Sequence, residues 1–72
     1  MQIPQPQDLA ALKHYTMPFG KYAATRLIDL PEAYLAWWQR QGWPPGRLGM
    51  LLQLAFEVRI NGLRQLIDNI PE

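Results

Sequence analysis

The sequence predicts one small domain that is mainly α-helical with a small β-hairpin, an α+β fold. Three observations predict it: apolar residues recur at helical spacing through the second half, apolar and smaller side chains alternate before Gly20, and prolines and glycines separate the segments. The expected order is a short N-terminal helix, a hairpin, a middle helix and a long C-terminal helix. At 72 residues the chain has room for one core, which at this size stabilises a fold by roughly 3 to 5 kcal/mol.

The N-terminal part of the chain is expected to begin with an extended lead-in. Residues 1–7 hold two prolines and three glutamines with little to bury, so the single domain is expected to span residues 8–70. Asp8 followed by apolar residues predicts a short helix that ends near His14. Residues 15–30 lack helical spacing, and Gly20 can adopt the positive φ of a tight turn. A two-stranded hairpin is therefore expected, with its second arm at about residues 24–27.

The middle helix has a recognisable start and end. Pro31 suits the first turn of a helix, where its missing N–H costs nothing, and Asp29 or Glu32 complements the helix dipole. Gly42 then ends the helix after about Gln41. One arc of the helical wheel holds the apolar and aromatic side chains of Tyr34, Leu35, Trp37 and Trp38. Of these, both tryptophans are assigned to the core.

The C-terminal helix is predicted to be the longest element. Polar residues recur at steps of four, four, three and four from Gln53 to Asp68, which keeps one polar stripe in phase through Gly62. A single helix over about residues 47–68 is therefore favoured over a break at Asn61-Gly62.

Composition excludes several function classes. The chain has no cysteine, and its one histidine, His14, falls at a helix end, where capping is the ordinary role. Without a nucleophile–base pair, facing carboxylates or a metal cluster, we expect a non-enzymatic binding module with no cofactor. No signal peptide and no apolar run of membrane length is found, so we expect a cytoplasmic protein that does not enter a membrane. The net charge of +1 favours no class of partner.

The candidate binding residues are basic and aromatic. Lys21, Tyr22 and Arg26 are placed on the hairpin, and three more residues flank the Pro-Pro link: Arg40, Trp43 and Arg47. Because aromatic rings stack on bases while cations neutralise phosphates, this mixture predicts binding of single-stranded nucleic acid.

Arg59 is the least expected residue of the long helix, because its position projects onto the apolar stripe. A guanidinium there needs a partner. In a structural role, Arg59 would pair with Asp29 or Glu32 or donate to hairpin carbonyls. In a functional role, it would form the cationic floor of a cleft between the hairpin and the long helix.

A protein-interaction or self-association module is the alternative function. Met50 and Leu54 lie at the edge of the polar face of the long helix, and with Trp43 they could pair two copies or bind another protein. An enzyme with an unfamiliar site would instead need a cleft holding Arg59 and an acid with a perturbed pKa.

Two segments resemble a small bacterial family described as putative quorum-sensing-regulated virulence factor. They are Met-Pro-Phe-Gly-Lys-Tyr at residues 17–22 and Leu-Ile-Asp-Leu-Pro-Glu-Ala-Tyr-Leu-Ala-Trp at residues 27–37, and the resemblance extends to about residue 67. A similar Pro-Phe-Gly-Lys segment near the ends of some bacterial proofreading-type exonucleases implies a nucleic-acid accessory role. Family members often carry a Lys-Gly pair where this chain has Ala23-Ala24, which makes phosphate binding at that turn less expected.

Overall fold

The computed structural model of the chain describes residues 6–69. In that range it contains four α-helices and one 3-10 turn, and no strand. In chain order these are α1, Pro6–Leu12; the 3-10 turn, Leu27–Asp29; α2, Glu32–Gln41; α3, Gly46–Ile60; and α4, Arg64–Asp68. The mainly helical part of the prediction is confirmed, and the β-hairpin is wrong.

Residues 15–26 reverse direction as the hairpin prediction required, but they do so without strands. Thr16 and Arg26 form an isolated antiparallel bridge. Met17 donates its N–H to the Thr25 carbonyl and accepts from Ala24, at 2.8 Å each. These bonds close a loop of consecutive turns and do not start a ladder.

The turns between the two sides of the loop explain why no sheet forms. Ala23 donates to the Gly20 carbonyl at 3.1 Å, and Thr25 donates to the Tyr22 carbonyl at 3.0 Å. Because these turn bonds occupy the N–H groups of Ala23 and Thr25, only a few bonds cross the loop and they do not repeat as a ladder. Gly20 has the expected positive φ of 80°, while Ala24 has a φ of 68°, which is costly for a residue with a side chain. The ends of this loop are thus fixed by local turn bonds.

The boundaries of α2 agree closely with the prediction, whereas α1 starts and ends earlier than predicted. Helix α2 follows Pro31 and ends at Gly42, which has a φ of 102° and donates to the Trp38 carbonyl at 2.8 Å. Helix α1 begins at Pro6, inside the segment predicted as lead-in. Residues 1–5 of that lead-in lie outside the described residues.

The single long C-terminal helix is wrong, because the chain breaks where Asn61-Gly62 allowed a break. Gly62 has a φ of 68° and donates to the Arg59 carbonyl at 3.2 Å, while Leu63 donates to the Val58 carbonyl at 2.9 Å. These two bonds form a Schellman motif, which ends a helix at a glycine of positive φ. Helix α4 then starts in a new direction at Arg64.

Helix α3 is the centre of the core. It packs against α1, α2 and the 3-10 turn. Its buried side chains join residues from every other helix in one cluster, whose fully buried members include Leu12, Leu27, Ile28, Leu30, Leu35, Leu51, Leu52 and Ala55. Gly49 lets α3 start close to the preceding link, since a Cβ there would overlap the Pro44 carbonyl oxygen. The close approach of the link to α3 therefore requires glycine at position 49.

Within residues 6–69, no helix has both the length and the apolar character needed to cross a membrane.

Candidate functional site

A groove lies between the loop and the first turns of α2. It has a volume of about 390 Å³ and is lined by Lys21, Tyr22, Pro31, Ala33, Tyr34 and Trp37. Lys21 and Tyr22 come from the loop, and the other four residues come from the start of α2 and the proline before it. The reversal of the loop and the Pro31 helix start therefore position the groove together.

Three aromatic rings form one side of this groove. Tyr22 and Tyr34 have ring centroids 4.7 Å apart, and Tyr34 and Trp37 are nearly parallel, at 6° and 6.4 Å. Trp38 supports the row from behind, with its ring 5.1 Å from that of Trp37. The Trp37 side chain is 43% exposed, so its assignment to the core is wrong, while Trp38 packs against the core. Of the three residues in the row, Trp37 is exposed and Tyr22 and Tyr34 are half-buried.

Two cations lie at the ends of the aromatic row. The Lys21 ammonium is 5.6 Å from the centre of the Tyr22 ring, a cation–π distance. Arg40 is exposed in the last turn of α2, three residues after Trp37 and so next to it on the helix surface. Among the ion pairs of the described residues, neither Lys21 nor Arg40 takes part. Both charges are available to an anionic ligand.

Arginines hold the backbone that leads into the groove. Arg59 donates through Nη1 to the carbonyls of Ile28, at 2.9 Å, and Leu30, at 2.6 Å. Arg64 donates to the same Ile28 carbonyl at 3.2 Å. These bonds give the Arg59 guanidinium backbone carbonyls as partners. Arg59 is not among the residues that line the groove.

Asp29 is the acidic centre of this arginine cluster. Its carboxylate accepts from Arg26 Nε at 2.7 Å and from Arg64 Nη2. The hydrogen bond from Arg26 is the main cause of a pKa of Asp29 below its usual value, and the same bond raises the pKa of Arg26. Arg26 also donates to the Lys13 carbonyl at 3.1 Å. Arg26 is thus engaged in holding the loop.

The remaining predicted site residues lie elsewhere. Arg47 bonds the buried Asp8 carboxylate at 3.0 Å and so ties α3 to α1. Trp43 packs on Phe56 of α3, with ring centroids 6.0 Å apart. The structure therefore brings Lys21 and Tyr22 together in the groove. The other predicted site residues lie outside its lining, Arg40 at the end of α2 among them: Arg26, Arg40, Trp43, Arg47 and Arg59.

Tyr34 and Trp37 are the site residues that the sequence interpretation missed. Their three-residue spacing after Pro31 indicates adjacent positions on one helix face, but the sequence interpretation places Trp37 in the core and Tyr34 on the same apolar arc. The signal that could have separated them is Leu35, which is fully buried and defines the core side of α2.

The surface predicted for self-association is largely inside the fold. Leu54 is buried in the core cluster, and Met50 and Trp43 are partly buried against it. Exposed large apolar side chains occur instead at Phe19 and at the end of α3 and on α4: Ile60, Leu63 and Leu66. Pairing of two copies and binding of another protein stay predictions.

Fold and site together define a small helical domain with an exposed aromatic groove on a short helix. The family described as putative quorum-sensing-regulated virulence factor matches residues 5–70, and the chain belongs to that family. All six residues that line the groove fall within the two segments quoted for the resemblance.

Relatives of the chain occur in Escherichia coli. The chain is 44% identical over 63 residues to the uncharacterized protein YpeB of strain K12, covering 86% of this chain and 88% of the relative. The same identity and coverage hold for YpeB of strain O157:H7. No solved structure matches the chain. The similarity to proofreading-type exonucleases is not shown by these comparisons.

Proposed function

We propose that this protein is a non-enzymatic accessory module that binds nucleic acid in the groove beside α2. The observation that carries the proposal is the row of three aromatic rings between two cations that have no ion-pair partner among the described residues. Rings supply stacking surfaces and cations neutralise phosphates, which are the two contributions that nucleic-acid binding needs.

The chemistry of the lining residues supports a binding role over a catalytic one. The groove presents one ammonium, two phenols, one indole and the apolar surfaces of Pro31 and Ala33. Proton transfer near neutral pH usually uses a carboxylate or an imidazole, and the lining residues include neither. The family description concerns regulation and virulence, and it does not name a ligand.

The site is smaller than the basic surface expected from the sequence. Arg26, Arg47 and Arg59 each donate to a carboxylate or a carbonyl inside the fold, so their charges are already engaged. Lys21 and Arg40 remain as the cations of the groove region. The proposal therefore relies on stacking more than on charge.

A fluorescence anisotropy titration tests the proposal. Short labelled DNA and RNA strands, single and double, are titrated at low salt with the parent protein and with Trp37→Ala. We expect binding by the parent and a loss of at least about fivefold in the variant, since one base–ring stack is worth about 1 to 3 kcal/mol.

Phe19→Ala is the matched control. The Phe19 side chain is 50% exposed, similar to Trp37, but it is outside the groove lining. Parental affinity is expected for this variant, and circular dichroism checks that both variants are folded. Absence of nucleic-acid binding at low salt would refute the proposed function.

A further inference from the structure

We infer that the groove binds a single strand through its unpaired bases, with Lys21 and Arg40 as the two phosphate contacts, and that it reads no sequence. This inference rests on the proposed function, because it specifies the nucleic acid that the groove takes. Three features of the described residues carry it: the row of aromatic rings that includes the exposed Trp37, the placement of the two cations, and the chemistry of the lining.

The aromatic faces require unpaired bases. Trp37 and Tyr34 are nearly parallel and Tyr22 is tilted by 56° against Tyr34, so the groove wall consists of ring faces and edges. In a duplex the faces of the bases are covered by their neighbours, and a protein reaches base edges through the grooves. Stacking on exposed rings is available to a strand whose bases are unstacked.

The cations fit a strand that follows α2. Tyr34, Trp37 and Arg40 are successive neighbours at three-residue steps, so the row advances roughly 4.5 Å per step along the helix axis. Lys21 lies at the Tyr22 end of the row, and Arg40 lies beyond the Trp37 end. The sugar–phosphate backbone of a strand that lies beside the rings therefore contacts one positive charge before the stacked bases and one after them.

The lining offers little for reading base edges. Base-specific contacts in proteins come mostly from Arg, Lys, Asn, Gln, Asp and Glu in fixed orientations. Of the groove residues, only Lys21 belongs to that set, and a flexible ammonium is a weak reader of sequence. Every base has a flat face, so we expect homopolymers to bind with affinities within about threefold of one another.

One acidic residue opposes the ligand. Glu32 is exposed in the first turn of α2, between Pro31 and Ala33 of the lining. Its charge repels phosphates that approach this end of the groove, so Glu32→Gln should tighten single-strand binding by about twofold at low salt.

The experiment compares a labelled oligothymidylate alone, the same strand annealed to its complement, and a labelled proline-rich peptide. Proteins are the parent, Trp37→Ala, Trp37→Phe, Phe19→Ala, Lys21→Gln, Arg40→Gln, Glu32→Gln and Lys13→Gln. The Lys13→Gln substitution removes one positive charge outside the groove, where the Lys13 ammonium donates to the Asp68 carbonyl at 3.4 Å.

The expected pattern is specific to a stacked single strand. The single strand binds at least about tenfold more tightly than the duplex, Trp37→Ala loses at least about fivefold, and Trp37→Phe keeps most of the affinity because it keeps a ring face. Lys21→Gln and Arg40→Gln each weaken binding about two- to threefold, whereas Phe19→Ala and Lys13→Gln leave it unchanged.

Three results would overturn the inference, and they separate it from the proposed function. Duplex binding equal to single-strand binding, with both weakened by Trp37→Ala, overturns the single-strand inference while nucleic-acid binding in the groove stands. Nucleic-acid binding that is indifferent to Trp37→Ala contradicts both the inference and the proposed function, because Trp37 lines the groove. If only the proline-rich peptide binds, and Trp37→Ala abolishes that binding, both the inference and the proposed function are wrong and the groove is a peptide site.

Discussion

The salt dependence of binding depends on how many cations contact phosphate, and the proposal gives that number as two. For a single strand, the logarithm of the binding constant falls with the logarithm of salt concentration with a slope of about −0.7 for each phosphate neutralised. Lys21 and Arg40 therefore predict a slope of about −1.4, which is roughly a sevenfold loss of affinity between about 50 and 200 mM salt.

The larger basic surface expected from the sequence gives a very different magnitude. Five cations, Lys21, Arg26, Arg40, Arg47 and Arg59, would give a slope of about −3.5 and a loss above roughly a hundredfold over the same range. Because three of these cations already bond groups inside the fold, we expect the shallow slope.

The assay is anisotropy of a labelled oligothymidylate at four or more salt concentrations, with the parent and Lys21→Gln. The variant should have half the parental slope, about −0.7, and should lose about threefold over the same range. Lys13→Gln, which removes the same charge elsewhere, should keep the parental slope. A parental slope steeper than about −3 would refute the reasoning, because it would require the engaged arginines to contact phosphate.

Three further predictions concern the fold. Ala24→Gly should raise the free energy of unfolding, measured in urea, by about 0.5 to 1 kcal/mol. The strain energy that alanine has at a φ of 68° exceeds the entropic cost of adding a glycine to the unfolded chain. An unchanged or lower midpoint would contradict this. Gly49→Ala should cost about 3 kcal/mol or more, since its Cβ overlaps the Pro44 carbonyl, and a thermal midpoint near the parental one would contradict that contact. The lowered pKa of Asp29 contributes stability that is present above the unfolded value and lost as pH falls through the folded value, below 3.8. Asp29→Asn should therefore be less stable than the parent at neutral pH, with a smaller difference at acid pH, and a constant difference across that range would contradict the role of Asp29.

The segment that became a loop shows what alternation alone cannot establish. Apolar residues alternate at Tyr15, Met17 and Phe19, and Gly20 takes the expected positive φ. Turn bonds nevertheless occupy the N–H groups of Ala23 and Thr25, so the few bonds that cross the loop do not repeat as a ladder. The sequence contained a relevant signal in Pro18, which has no N–H to donate to a sheet. The chain reversal was predictable, and its hydrogen-bond pattern depended on tertiary packing.

The break between α3 and α4 was recognisable from local chemistry. Glycine followed by a hydrophobic residue, as in Gly62-Leu63, is the typical sequence of a Schellman motif. The polar stripe remained in phase across this position, because two short helices with polar exposed faces give the same spacing as one long helix. Local capping chemistry was the better predictor here.

Arg59 and Trp37 show which parts of the site depend on three-dimensional packing. The sequence showed that Arg59, on an apolar stripe, needs hydrogen-bond acceptors. Which acceptors it has, the Ile28 and Leu30 carbonyls, follows from how α3 packs on the 3-10 turn. A helical wheel places Trp37 on the apolar side of α2, but it does not show how far the neighbouring loop extends over the helix. The groove lies where the loop no longer packs on α2.

Chemical-shift mapping by NMR tests the central claim most directly. Titration of the ¹⁵N-labelled protein with an unlabelled oligothymidylate should shift the Trp37 indole N–H and the backbone amides of Lys21, Tyr22, Tyr34 and Arg40 most strongly. The amides of α4 and of the Asp8–Arg47 pair should move little. Largest shifts at α4 or around Arg47, with the Trp37 indole unchanged, would contradict the account.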